Sequence, residues 1–269
     1  MANTKLNILP LPTFGQLGVN YAERDIETFE TEEIFAGAGD DREIVQYINT
    51  DTSVTVRADD GARVKLVQVY DSREQTVSRL NAVLADNAEL ELVQIYIGGD
   101  TVSEIVTELD GRRSAFRAYI GYELAEEEKL DINLVAVHNG RKSSSDIAVR
   151  GVLSDSASKI FKGTIDFRNG SAGAKGAEQE EVLLMNETVQ NKTVPVILCA
   201  EEDVEGSHGA TIGRIDERQV FYMKSRGIPE EKVYELMARS KLMQMIDRID
   251  DEQAKKRIFA DLEWGDENE

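Results

Sequence analysis

Three side chains in this sequence could ligate a transition metal through nitrogen or sulfur: Cys199, His138 and His208. Cys199 closes the apolar run Val196-Ile-Leu-Cys199, and His208 lies within Gly206-Ser-His-Gly209. A thiolate is the usual protein ligand of iron-sulfur clusters, and a neutral imidazole is a good iron ligand. Glycines on either side of His208 let the backbone come close to a ligand or a neighbouring chain. Each residue also has a plainer reading. Cys199 ending an apolar strand reads as a small buried hydrophobe, and His208 as a residue hydrogen-bonded within a tight turn. Glu201, Glu202, Asp203 and Glu205 could act as oxygen ligands, but a charge run is ordinarily a solvated face. His138 sits between an alternating apolar run and Asn139-Gly140, where a turn histidine is ordinary, and it is assigned no chemistry.

One thiol among 269 residues excludes an intramolecular disulfide framework and any four-cysteine zinc or iron-sulfur centre built by a single chain. A centre shared between chains stays open. With 51 acidic against 31 basic residues and a net charge of -20, the chain repels phosphate backbones and anionic lipid. Its densest basic group, Arg112, Arg113 and Arg117, is too sparse to reverse that, so no nucleic acid and no membrane is expected as a partner. The opening residues lack the charged start and apolar run of a signal peptide, and no apolar stretch approaches the ~20 residues of a membrane span. These features predict a cytoplasmic protein. Gly170-Ser-Ala-Gly-Ala-Lys-Gly176 lacks the Gly-Lys-Ser/Thr ending of a phosphate loop, so no nucleotide is expected to bind. No G-x-S-x-G elbow or H-E-x-x-H pair is present, and the chain reads as a non-enzyme.

The elements that must position these residues are mostly strands. Residues 1–45, with Pro10, Pro12 and an acidic stretch from Glu27 to Glu33, read as an irregular N-terminal segment. From 46 to 215, short β-branched runs follow one another: Ser53–Arg57, Val64–Tyr70, Leu90–Ile97, Ile132–His138, Asp146–Leu153, Ile160–Phe167 and Val194–Cys199. Gly98-Gly99, Asp110-Gly111, Asn139-Gly140 and Asn169-Gly170 separate them with residues that tolerate positive φ. Only Glu74–Asp86 suggests a helix in this region. A β-sandwich, a barrel and a solenoid all remain compatible, because no exact repeat period is present. After Gly213 the texture turns helical. Asp216 caps a first helix that stops at Gly227, Pro229 opens a second with Val233, Leu236, Met237 and Leu242 to Ile249 as its stripe, and a third covers Asp251–Trp264. Residues 216–264 thus form a small helical unit that must dock on something, and 265–269 an acidic tail.

Several ordered motifs carry a resemblance. Glu202-Asp-Val-Glu-Gly-Ser-His-Gly-Ala-Thr-Ile-Gly213, followed by Phe221-Tyr-Met-Lys-Ser-Arg-Gly-Ile228, is similar to the C-terminal signature of the SufB/SufD family. Upstream, His138-Asn-Gly-Arg-Lys-Ser143, Arg150-Gly-Val-Leu153, Phe161-Lys-Gly-Thr-Ile165 and Val182-Leu-Leu-Met185 resemble that family's consecutive elements in order. The resemblance spans roughly residues 130 to 250. It implies a mainly β fold, a right-handed parallel β-helix with a small C-terminal α-helical unit. It also implies a scaffold for iron-sulfur cluster assembly working with a SufC-type ABC ATPase, and association through the β-helix with a SufB-type subunit or a second copy of itself.

Under that resemblance His208 and Cys199 become candidates for a transient cluster or sulfur site shared at a subunit interface. Phe221, Tyr222, Arg226, Gly227, Val233, Leu236 and Met237 become the candidate ATPase-docking residues. Three departures from the family pattern place the chain in a short, SufD-like branch: it is short and lacks an extended N-terminal helical domain, Gly206 stands where many SufD proteins carry a cysteine two residues before the histidine, and the sole cysteine, Cys199, lies seven residues before that glycine. The rival reading is a β-helix enzyme acting on polysaccharide, and it is disfavoured by a net charge of the wrong sign for a polyanionic substrate.

Overall fold

Alternation of apolar and polar residues makes strands, and strands of similar length joined by tight corners stack into coils. In the computed structural model, which describes residues 2–13 and 15–262, β1 (Ala2–Leu6) and β2 (Ala22–Ile26) pair antiparallel, with a short 3-10 turn at Gly15–Leu17 between them. Seven coils of two strands follow: β3 (Glu30–Ala36) and β4 (Asp41–Ile48), β5 (Thr52–Ala58) and β6 (Arg63–Tyr70), β7 (Gln75–Leu84) and β8 (Glu89–Ile97), β9 (Asp100–Leu109) and β10 (Ala115–Leu124), β11 (Lys129–His138) and β12 (Ser144–Leu153), β13 (Ser158–Phe167) and β14 (Ala174–Leu184), β15 (Gln190–Cys199) and β16 (Val204–Gly213). The odd-numbered strands from β3 make one seven-stranded parallel sheet and the even-numbered strands from β4 the other. The fold is therefore a parallel β-solenoid, which decides among the three architectures the strand pattern leaves open.

No repeat is visible in the sequence because the coils differ in length. Stacked residues lie 22 positions apart at Gln46–Gln68, 26 at Gln68–Gln94, 29 at Asp110–Asn139 and 31 at Asp155–Asn186. Register is kept by side-chain columns inside the solenoid. Gln46, Gln68 and Gln94 bond one another amide to amide at 2.8 Å, and the buried rings of Tyr70 and Tyr96 stack at 4.2 Å. Leu66, Leu92, Ala118 and Ile147 fill the neighbouring column without a polar atom.

One corner is a ladder of its own. Gly39, Gly61, Asn87, Arg113, Lys142 and Gly173 all hold positive φ, and each donates its N–H to a carbonyl in the corner of the next coil at 2.6–3.0 Å. Positive φ at two of the expected Gly turns falls on Arg113 and Lys142 rather than on Gly111 or Gly140. Those two glycines serve another purpose: a Cβ on Gly140 would overlap the Gly111 carbonyl, and one on Gly111 the Ala85 backbone. Ser114 and Ser143 then donate back to the Gly111 and Gly140 carbonyls at 2.8 Å.

Two segments differ from the sequence expectation. Gln75–Leu84 is strand β7 and not a helix, because Thr76, Ser78, Leu80, Ala82 and Leu84 are buried at alternate positions between β5 and β9. Residues 1–45 are not simply irregular, since they supply β1, β2, β3 and the first part of β4; Glu30, Glu32 and Glu33 hide β3 in the sequence because they lie on the exposed first edge of a sheet.

Outside, each sheet is covered over part of its length. α1 (Glu217–Ser225), capped by the Asp216 carboxylate, is followed by α2 (Glu230–Ile246) and α3 (Glu252–Asp261). Pro229 is the N-cap of α2, one residue earlier than the expected first helical position. Leu242, Met245, Ile246, Ile249 and Ile258 bury against Val67, Val69, Val93 and Ile95 on the even-strand sheet. Each such side chain contributes on the order of 1.5–3 kcal/mol, which answers how a unit too small to fold alone is held. Phe259 and Leu262 are partly buried in the same cluster, whereas Trp264 and the acidic tail lie outside the described residues. The odd-strand sheet is covered by the N-terminal segment through Leu6, Leu9 and Val19.

A Gly140→Ala substitution is expected to destabilise the protein by at least roughly 1–3 kcal/mol, the range for overpacking, because the obstructing atoms are backbone. Urea unfolding checks this, and wild-type stability in the variant would contradict the stacked-corner account.

Candidate functional site

The last coil has no successor. β15 and β16 are the outermost strands of their sheets, and β16 is exposed along nearly its whole length. In a parallel ladder, paired residues project to the same face of the sheet. Cys199 pairs with buried Phe167, and His208 pairs with buried Glu178, so both belong to the rows that face the solenoid interior. Both sequence candidates are thus brought to the same open mouth, one from each sheet. Cys199 is exposed, with its thiol donating to the Glu201 carbonyl at 3.1 Å, and the buried-hydrophobe reading fails because the coil that would cover it does not exist. His208 is exposed within a strand, not in a tight turn.

Gly206 faces the same interior. A Cβ there would stand 3.0 Å from the Phe167 ring and 3.4 Å from Ile197. Glycine at this position therefore lets β16 settle on the previous coil.

Beneath the mouth lies a group of charges that the sequence reading missed. Lys159 and Glu180 are fully buried and form an ion pair, and Thr193 donates to the other Glu180 oxygen at 2.6 Å. Glu178, 5 % exposed, sits directly under His208 in the ladder. Its carboxylate occupies the space a side chain at Gly163 would need, which gives the glycine of the Phe161-Lys-Gly-Thr-Ile165 motif its physical role. Burial, reinforced by the neighbouring Glu180 charge, pushes the Glu178 carboxyl up to about 7, while Lys159 partly opposes this. Burial likewise draws the Lys159 ammonium below its ordinary value, against the pull of Glu180. The Tyr122 hydroxyl is buried without a hydrogen-bond partner, and desolvation with the Glu180 charge raises it well above the usual phenol range. The signal in the sequence was acids at alternate positions, Glu178 and Glu180, entering the apolar run Val182-Leu-Leu.

The remaining candidates separate clearly. His138 is buried between Ser143 and Ser145, at 2.8 and 2.9 Å from its two ring nitrogens. Ser143 spends its proton on the Gly140 carbonyl, so it accepts from Nδ1–H, and Nε2 accepts from Ser145. Burial lowers His138 to about 4, leaving a neutral structural imidazole. Of the acidic run, Glu201 is held below the usual carboxylate range mainly by the Gly170 N–H, and Glu205 pairs with Lys175 at 2.9 Å. Among the described residues no group of three His, Cys, Asp or Glu side chains is placed to hold a metal ion. A thiolate and an imidazole from one chain leave a metal centre incomplete.

The helical candidates divide as well. Phe221 is 75 % and Tyr222 57 % exposed on α1, and Leu236 is exposed on α2. Arg226 and Gly227 are exposed at the α1 C-terminus, Met237 is half-buried, and Tyr222, Met223 and Met237 line a shallow hollow of about 390 Å³. Val233 is fully buried within the chain. No helix among the described residues is long and apolar enough to cross a membrane.

The family described as SUF system FeS cluster assembly, SufBD core domain, matches residues 27–241. The chain is similar to the iron-sulfur cluster assembly protein SufD of Bacillus subtilis, 30% identical over 190 residues that cover 70% of this chain and 43% of the relative. It is also similar to SufD of Escherichia coli, 27% identical over 179 residues, 66% of this chain and 42% of the relative. An iron-sulfur cluster assembly SufBD family protein of Mycobacterium tuberculosis is 26% identical over 216 residues, 76% of this chain and 54% of the relative. The chain spans about half the length of these curated relatives.

A raised carboxyl makes stability fall as pH rises. Between the unfolded value near 4.5 and the folded value of about 7, unfolding releases the Glu178 proton. Its contribution therefore declines through that window and is flat above it. Glu178→Gln should be more stable than wild type at pH 8, with the difference vanishing below pH ~4.5; urea unfolding across this range checks it, and a pH-independent difference would contradict the assignment.

Proposed function

The chain belongs to the SufBD core family of the SUF system for iron-sulfur cluster assembly, and on that premise we propose that it acts as a SufD-like scaffold subunit working with a SufC-type ABC ATPase. The observation that carries this reading is the uncapped last coil, with Cys199 and His208 on the inward rows of its two strands. Iron and sulfide are cargo here. When a second solenoid, another copy or a SufB-type subunit, closes against the mouth, this chain contributes one thiolate and one imidazole, so a symmetric pair supplies four protein ligands. Thiolate and imidazole together suit iron better than the hard cations that prefer oxygen. The interior below contributes charge: Lys159 offsets developing negative charge on bound sulfide, and the carboxylates of Glu178 and Glu180 offset ferrous iron.

The ATPase fits the other exposed surface. Phe221 and Tyr222 stand out from α1, and α2 connects that helix to the solenoid through Leu242, Met245 and Ile246. An aromatic pair on a rigid helix is the kind of anchor that dominates binding energy. Movement of a partner held there would be passed through α2 to the even-strand sheet, whose last member is β16.

Two measurements test the reading. Under anaerobic reconstitution with ferrous iron and sulfide, Cys199→Ala and His208→Ala are expected to hold markedly less cluster than wild type by visible absorption; equal loading would remove both residues from the site. In a pull-down with a SufC-type ATPase, the Phe221→Ala, Tyr222→Ala double variant is expected to lose most binding while its circular dichroism is unchanged, and undiminished capture would place the docking surface elsewhere.

A further inference from the structure

The segment between β1 and β2 is not used by any part of the function above, and it lies outside the residues that match the family. It runs across the odd-strand sheet toward the open end. Leu6 packs with Val77 of β7 and Val102 of β9, and Asn7 donates to Asp131 of β11. Lys162 of β13 donates to the Asn7 carbonyl at 3.0 Å, Leu9 and Val19 pack with Val194 and Val196 of β15, and Lys192 of β15 reaches the Leu17 carbonyl at 2.8 Å. The tip of the segment therefore arrives at the last strand of the sheet. There it exposes Leu11 at 52 % and Leu17 at 49 %, flanked by Ile8 and Tyr21. From Leu9 to Asn20 the sequence has no charged residue, although 30% of the whole chain is charged.

Area gives the tip a purpose. β15 and β16 are ten residues each, so at ~3.3 Å per residue and ~10 Å between sheets the end face projects on the order of 330 Å². A standard interface buries about 800 Å² per partner. The end alone falls well short.

We infer that the tip carrying Leu11 and Leu17 is a clasp that reaches over the seam and packs on a second copy of this chain, completing an end-to-end dimer. This rests on the end-to-end pairing proposed above and adds its missing area. A second copy is favoured because a two-fold seam brings identical surfaces together, and in a chain of net charge -20 a surface free of acids meets its own copy without repulsion. The clasp, Val194–Cys199 and Gly206–Gly213 are the adjoining segments that carry no acid.

Sedimentation velocity of the full chain across a concentration series separates the two ideas. Leu11→Glu and Leu17→Glu are each expected to raise the dimer Kd about tenfold or more, as loss of a buried apolar anchor does, without changing thermal unfolding of the monomer, since both residues are exposed. Phe35→Glu, an equal change at an exposed position on the first coil, should leave the Kd unaltered. Thr211→Pro, which disrupts the β16 edge, should give monomers. If Thr211→Pro is monomeric while both clasp variants dimerise like wild type, the clasp is overturned and the end-to-end pairing stands. If Thr211→Pro dimerises normally, the pairing itself fails and the clasp with it; a wild-type chain that stays monomeric overturns self-association outright.

Discussion

Coil-on-coil hydrogen bonding is what everything else in this molecule answers to. Each strand from β3 to β16 satisfies its backbone only through the coil before and the coil after it. Such a stack cannot end itself: the first and last strands always keep a row of unpaired N–H and C=O groups. The two ends meet this in opposite ways. Glu30, Glu32 and Glu33 on β3, and Asp41, Arg42 and Glu43 on β4, charge the first edge, which discourages another strand from pairing with it. β15 and β16 carry Lys192 and Glu205 near their starts and beyond them offer Val-Pro-Val-Ile-Leu-Cys and Gly-Ser-His-Gly-Ala-Thr-Ile-Gly, with no Asp, Glu, Lys or Arg. Only Pro195 interrupts the donors, and a proline is tolerated there because β15 is an edge.

The interior changes character along the same axis. Neutral amides and stacked phenols line the early coils, aliphatic columns fill the middle, and a fully buried ion pair lies in the coil below the mouth. An ion pair buried this deeply is rarely worth more than apolar residues of the same volume. Stability therefore does not explain Lys159 and Glu180, whereas placement does: they lie where the solenoid stops being sealed. Closing the mouth would remove the remaining 5 % exposure of Glu178, and a site that must stay near neutrality then needs a group able to take up a proton. Glu178, raised to about 7, is such a group.

How much of this was legible in the sequence depends on what each residue was answering to. Strands facing an apolar neighbour on both sides, such as Leu90–Ile97 and Ile160–Phe167, are visible because burial alone dictates their composition. β7 suggests a helix in the sequence because Ser78, Arg79 and Asn81 dilute its alternation, and its identity as a strand comes from β5 and β9, which are distant in sequence. β16 carries no strand signal at all: its Gly, Ala, Ser and Thr suit an exposed edge, and only the order of its residues marked it. Cys199 and His208 were found by type, but that they share one mouth depends on register across coils of unequal length. Lys159, Glu178 and Glu180 looked like surface charges, since nothing local says that a strand's charged row points inward.

The two outer coverings follow a different rule from the coils. A stack that templates its own register needs only to have its exposed apolar rows hidden, and chemically unrelated segments can do that. On the even-strand sheet the cover is helical and apolar, through Leu242, Met245 and Ile246. On the odd-strand sheet it is an extended segment held largely by polar contacts: Asn7, at φ 51, donates to Asp131, while the buried Lys162 ammonium bridges the Asn7 carbonyl and the Asp131 carboxylate at 3.0 and 2.9 Å. Apolar packing alone would let an extended segment slide along the sheet, because Val and Leu contacts are not directional. A desolvated lysine with two fixed acceptors is directional, and moving it by one residue would leave a buried charge unpaired. The lock therefore sets where the segment lies, and by setting Asn7 over β11 and β13 it fixes where the following residues meet β15.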